Sequence, residues 1–364
     1  MSINRIELIR AQLSTWNVNG ILITNLSNCR WASGFTGSAC TIVITAEKAL
    51  LGTDFRYWEQ AANQAPEFEL VKMGRTAEFA KQADVVKMAG VDRMGFESSN
   101  MTVSDFADLK RQCKDVEDLK LVPLNSRIEP LRDVKSAAEL KKIRAAAAIT
   151  DLAMEQVNEI AKPGMTEREL AWELEKLMRE NGADGMAFPI IVASGPNSAM
   201  AHHHPGDRKL QAGDPIIIDM GAVLDGYHSD MTRTFFMGNE LDEKFKYVYD
   251  LVHMAQKNAL KNMQAGMLGK EIDALAREVI ADAGQGENFG HSLGHGVGLD
   301  IHEGPRLSSI YEEEIPVGSV VSVEPGVYLS GWGGVRIEDL VVLTDDGIEF
   351  LSHCPKKPVI EING

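Results

Sequence analysis

The segment IIIDMGAVLDGYHSDMTRTFF, Ile216 to Phe236, leaves the chain little conformational freedom. Asp225-Gly226 stands between β-branched and apolar runs, the strongest short signal for a two-residue hairpin turn. Such a turn pairs Leu224 with Tyr227. Counting back puts Asp219 opposite Thr232, with Asp230 its diagonal neighbour on the same face. Diagonal Cβ atoms lie roughly 7–8 Å apart, so both carboxylates would reach one ion between them. Without a cation, the pair would repel and be costly to desolvate. Taken alone, the pattern also describes two solvated strand ends.

With 364 residues and 44% apolar content, the chain exceeds the usual single-domain size and can bury two cores. Its 53 acidic residues against 37 basic ones give a formal charge of −16. That balance argues against nucleic acid and anionic membrane surfaces as partners, since both need clustered Lys and Arg. MSINRIELIRAQ has no apolar core of signal-peptide length, and runs such as Ile216-Ile217-Ile218 are too short to cross a bilayer. Cys29, Cys40, Cys113 and Cys354 show no CxxC spacing and read as buried free thiols in a reducing cytoplasm.

From Ile21 to Leu51, β-branched runs alternate with turn-rich pieces, and amphipathic segments follow near Thr76 to Ala89 and Val103 to Cys113. This predicts a small α/β domain over residues 1–130. VPLNSRIEPLRDVKS, with two prolines, precedes a helical pattern from Ala137 to Ile160 and sets the boundary near Pro130, the second domain being 131–364. Within that domain PGMTEREL (Pro163 to Leu170) matches AGMLGKEI (Ala265 to Ile272) at an offset of 102 residues. Thr166 and Glu169 form a capping box, and both helical patterns close on glycine, Gly182 and Gly284. The second domain therefore reads as two related halves around a shared centre.

Further along, FGHSLGHGVGLDIHEGPR sets His291, His295 and His302 among five glycines that let side chains crowd a site. SVEPGVYLSGWGGVRIEDL carries Glu324 before a Pro-Gly turn and Glu338 two residues past Arg336, on one strand face. Asp219, Asp230, His295, Glu324 and Glu338 together make a donor set for two divalent ions, whose four positive charges cancel the four carboxylates. A serine-hydrolase reading of Gly290-His-Ser-Leu-Gly294, with Asp339 and His353 downstream, lacks the required strand before and helix after the serine. HEGPR is not HExxH, and neither a Walker A nor a GxGxxG motif occurs.

IDMGAVLDGYHSDMTRT, GHGVGLDIHEGPR, VEPGVYL and GGVRIEDL resemble the metallopeptidases of pita-bread fold, which include prolidase, aminopeptidase P and methionine aminopeptidase. The family's five metal ligands fall on Asp219, Asp230, His295, Glu324 and Glu338. GFTGSA (Gly34 to Ala39) and DFRYWEQA (Asp54 to Ala61) are similar to the N-terminal domain of bacterial aminopeptidase P and Xaa-Pro dipeptidases. The resemblance implies an α+β chain: a C-terminal pita-bread catalytic domain with an internal pseudo-twofold repeat, preceded by a smaller α/β creatinase-type domain. It further implies a cytoplasmic homodimer that uses two divalent ions, Mn2+ before Co2+ or Zn2+, to hydrolyse Xaa-Pro bonds in short proline-containing peptides.

The first 201 residues hold no histidine, and then MAHHHPGD supplies three. By resemblance His202 points into the site and assists at the scissile carbonyl, although the proline that usually precedes it is Ala201 here. In an extended segment His203 would point away into solvent, and His204 would line the rim. Glu324 is expected as general base, with His302 or His202 stabilising the oxyanion. Arg306 matches a prolidase arginine that clamps the free carboxylate of a dipeptide. Arg336 is expected to orient Glu338, and His291 to contact substrate. The dipeptidase reading has two rivals: an aminopeptidase P acting on longer peptides, and a metal-free binding module.

Overall fold

Asp225 and Gly226 both take positive φ, 48° and 70°, and the turn pairs Leu224 with Tyr227. The register carries through to the strands Pro215–Met220 and Met231–Met237, where Asp219 lies opposite Thr232. This computed structural model describes residues 4–362, and the chain divides into two compact units between Arg132 and Asp133.

The first unit is built on a six-stranded sheet ordered Glu69–Met73, Ala49–Asp54, Thr41–Thr45, Gly20–Ile23, Arg93–Glu97, Lys120–Leu124. Its central strand, GILI, is buried along its whole length, runs antiparallel to Thr41–Thr45 and parallel to Arg93–Glu97. Leu22, Val43, Leu50, Val85, Met94, Phe96 and Leu109 form the core. The amphipathic stretch from Thr76 becomes helical only over Gln82–Ala89, while Thr102 caps the helix Val103–Gln112 through Asp105. Cys29, Cys113 and Cys354 are buried free thiols and Cys40 is half-buried.

The second unit repeats itself element by element. A long helix, Ala137–Glu155, is answered by Glu243–Asn262, and Glu167–Glu180 by Gly269–Asp282. Each shorter helix begins after a left-handed glycine, Gly164 (φ 87°) and Gly266 (φ 86°), and is followed by another, Gly182 and Gly284. The Thr166 and Glu169 side chains close the expected capping box. Each half then supplies an antiparallel sheet: Ile191–Ser194, Pro215–Met220 and Met231–Met237 in one; Gly294–Gly296, Val320–Val323 and Asp339–Thr344 in the other. Each sheet packs on its own helices, one core around Leu170, Leu174, Ile218 and Met231, the other around Val252, Ile272, Val321 and Val341. The strand Val359–Ile360 pairs parallel to Met231–Met237, so the end of the second half joins the sheet of the first.

Candidate metal centre

Asp219 stands near the end of its strand and Asp230 at the entry to Met231–Met237, which places both carboxylates over one sheet face. His295 sits in the three-residue strand Gly294–Gly296, where the pairing with Glu303–Leu307 shifts register beside it. Such an irregularity re-aims a side chain. Only glycine fits on either side: a Cβ on Gly294 would come 1.9 Å from the Ser322 carbonyl oxygen, and one on Gly296 would come 1.8 Å from that of Gly304. His295 Nδ1 lies 3.1 Å from the Gly296 carbonyl, which leaves Nε2 for the site. Glu324 follows the strand Val320–Val323 and takes the Ser322 hydroxyl at 3.1 Å.

Ligand atoms of Asp230, His295 and Glu338, all buried, lie within 4.8 Å of one another. His295 Nε2 is 3.3 Å from Glu324 and 3.6 Å from Asp230. Asp219 receives the Arg336 guanidinium at 2.6 Å through Oδ2. Asp219 Oδ1 and Glu338 Oε1 are buried with no partner among the described residues. Burial, then the charges of Glu338, Asp219 and Glu324, push the Asp230 carboxyl well up. Burial, then Glu324 and Asp219, do the same to Glu338. Burial also opposes charge on Glu324, but the His295 hydrogen bond together with the charges of His295, His291 and Arg336 outweighs it and holds that carboxyl low. Four carboxylates thus face one buried guanidinium, and two of their oxygens lack a donor. That is a site short of positive charge, and divalent cations fit it.

All ten residues singled out for the site line one cavity of about 390 Å³: Asp219, Asp230, His295, Glu324, Glu338, His202, His291, His302, Arg306 and Arg336. Phe188, Pro189 and Ile191 give it an apolar wall. The matching family profiles are "Metallopeptidase family M24" over residues 141–345 and "Creatinase/Prolidase N-terminal domain" over residues 5–134. The chain belongs to metallopeptidase family M24.

This M24 peptidase is 41% identical to "Uncharacterized peptidase YqhT" of Bacillus subtilis (strain 168), over 98% of its own length and 99% of the relative's. Its structure is similar to that of an Xaa-Pro dipeptidase from Bacillus anthracis, with a TM-score of 0.92, 39% identity and coverage of 98% and 99% of the two chains. An X-Pro aminopeptidase from Thermotoga maritima MSB8 gives a TM-score of 0.87 at 36% identity, over 98% of this chain and all of the other. Among the described residues no helix is long and apolar enough to cross a membrane.

Two expectations for the M24 peptidase need correction. Arg336 does not touch Glu338. The strand Gly333–Arg336 ends at the arginine and the next begins at Asp339, so alternation along a single strand does not apply. Arg336 instead bonds Asp219, the Tyr328 hydroxyl at 2.6 Å and Thr232 Oγ1 at 3.1 Å, while Glu338 is oriented by Thr232 at 2.7 Å. His203 does not point into solvent: its Nε2 lies 2.8 Å from the buried Glu167. His202 and His204 are exposed, and all three histidines border the same cavity.

Thr232 and Tyr328 were not singled out beforehand. Thr232 was legible as the cross-strand partner of Asp219, whereas the Tyr328 hydroxyl, shared between Arg336 and His291, gives no sequence signal. The serine-hydrolase arrangement is not assembled: Asp339 is taken by Arg233 at 2.8 Å and Lys356 at 2.5 Å.

Proposed function

We propose that the protein hydrolyses the peptide bond before proline in Xaa-Pro dipeptides, with two divalent ions held by Asp219, Asp230, His295, Glu324 and Glu338. The carrying observation is the deficit of positive charge on the cavity floor, expressed in the partnerless Asp219 Oδ1 and Glu338 Oε1. Four carboxylates with one imidazole suit Mn2+, with Co2+ or Zn2+ as alternatives. When bound, the ions would polarise the scissile carbonyl and lower the pKa of the attacking water. Glu324, held ionised beside His295, takes the proton of that water and passes it toward the leaving proline nitrogen. Burial and the neighbouring His295 lower the His302 pKa below the ordinary imidazole value, and its N–H, or that of His202 in the same cavity, would serve the developing oxyanion.

Arg306 decides the substrate length. It is exposed on the cavity wall, directly across the strand pair from His295, and forms no ion pair among the described residues. Its fork is free to take a substrate carboxylate in two parallel hydrogen bonds. The alternative, removal of the N-terminal residue from longer peptides, draws support from the likeness to the Thermotoga X-Pro aminopeptidase. A homodimer and a cytoplasmic location belong to the same reading and rest on the family resemblance.

The test loads the purified protein with Mn2+ and compares an Xaa-Pro dipeptide with the same peptide extended by one residue at its C-terminus. A strong dipeptide preference that disappears in Arg306→Ala supports the dipeptidase. Equal or faster cleavage of the tripeptide favours the aminopeptidase, and a protein that retains no Mn2+ after dialysis is a binding module.

A further inference from the structure

The glutamate that opens the Glu167–Glu180 helix is completely buried, yet none of its side-chain partners lies in that helix. Oε1 accepts from the Ser194 N–H at 2.8 Å, the Ser194 hydroxyl at 2.7 Å and the Asn197 amide at 3.0 Å. Oε2 accepts from the Gly206 N–H at 3.1 Å and meets His203 Nε2 at 2.8 Å. Burial opposes ionisation here, but these bonds outweigh it and hold the carboxyl below the ordinary glutamate value. A buried carboxylate with this many donors is a fixed point in the fold.

Its partners bracket the stretch that carries the first three histidines. Ser194 and Asn197 precede it, Gly206 follows it, and His203 is its midpoint. Residues 203–206 have neither helix nor strand to hold them. One more tie comes from Arg336, which donates to the Ala201 carbonyl at 3.3 Å. His202 therefore sits between two anchored neighbours, Ala201 and His203, and lines the cavity.

We propose that Glu167 and His203 are positioning residues that set the His202 imidazole at the scissile carbonyl. The inference rests on the dipeptidase reading above for what His202 does, and on the geometry alone for how it is held. His203 borders the same cavity, but its Nε2 is committed to Glu167 at 2.8 Å, so it acts through its neighbour. Loss of the Glu167–His203 bond frees the segment between Ala201 and Gly206, and His202 loses its fixed direction while the metal-facing donors, on other strands, keep theirs.

The experiment uses the full chain loaded with Mn2+. His203→Ala is expected to lower kcat on the dipeptide about 10- to 100-fold, the scale of a misplaced catalytic group, at nearly constant KM and bound metal. His203→Gln, whose amide N–H reaches toward the same carboxylate, recovers part of the rate. The double variant His202→Ala/His203→Ala is no slower than His202→Ala alone, because the two act as one unit. Multiplying losses in the double variant, or a wild-type rate in His203→Ala, overturns the proposal. Failure of the wild type on the dipeptide sinks the functional reading instead, and the positioning claim is then judged without turnover. In the metal-free full chain labelled at histidine ring carbons, the His202 signal is assigned from its loss in His202→Ala. It shifts in His203→Ala while that of His253 stays; an unmoved His202 signal overturns the proposal.

Discussion

The hydroxyl of Thr232 donates to Glu338 at 2.7 Å across 106 residues of sequence. The same oxygen accepts from Arg336 Nε at 3.1 Å, so one small side chain orders a carboxylate of the candidate centre and the guanidinium beside it. Thr232→Val preserves shape and removes the hydroxyl. Divalent-ion affinity, measured by competition with a chelating dye, is expected to fall about 10- to 100-fold, as for other outer partners of metal ligands. An unchanged affinity would show that Glu338 is aimed by its backbone alone.

Asp230, when ionised, carries a penalty that a bound cation would offset. Its carboxyl is pushed well above the ordinary value by burial and by Glu338, Asp219 and Glu324. A group whose folded pKa is raised favours the folded state below its unfolded value of about 3.9, and that contribution is lost as pH rises through the folded pKa. In chelator, Asp230→Asn is therefore expected to melt higher than the wild type at neutral and alkaline pH, with the gap closing toward acid. With Mn2+ the order reverses, because bound metal stabilises only the protein that holds it. Turnover is lost in the variant. Equal melting of the two proteins in chelator at pH 8 would refute the charge deficit.

Gly294→Ala puts a methyl 1.9 Å from the Ser322 carbonyl oxygen, a backbone atom that cannot swing aside. The expected loss is at or beyond the upper end of about 0.5–3 kcal/mol for single substitutions. Chemical denaturation of Gly294→Ala against Gly290→Ala, where a Cβ meets nothing within 4 Å, provides the comparison.

Glu167 gives the opposite pH signature. Its folded pKa is lowered, so its contribution is present above the ordinary glutamate value of about 4.3 and is lost as pH falls through the folded one. The melting difference between wild type and Glu167→Gln should be widest near neutrality and shrink below that range. A difference independent of pH would mean that shape, rather than charge, is what the site needs from Glu167.

The hairpin register was readable because a two-residue turn of positive φ admits one pairing, and that pairing runs unbroken from Leu224 opposite Tyr227 to Asp219 opposite Thr232. The repeat was readable because both halves use the same glycine-closed helix. The relation between Arg336 and Glu338 was not, since period-two alternation says nothing about where one strand stops and another starts. Nor was the anchoring of His203: its partner lies 36 residues upstream at the start of a helix, and an isolated glutamate there reads as an ordinary first-turn acid. What the pattern of a sequence omits is contact between segments that share no periodicity.

Asp219 and Asp230 come from the first half of the repeat, His295, Glu324 and Glu338 from the second. A cut in the loop between Met237 and Glu243 would leave two fragments whose helices and sheets are largely complete, but neither with a full donor set. The crossing strand Val359–Ile360 is the tie that would bring them back together. Metal binding in this protein is in that sense a record of assembly, available only to halves that have found each other.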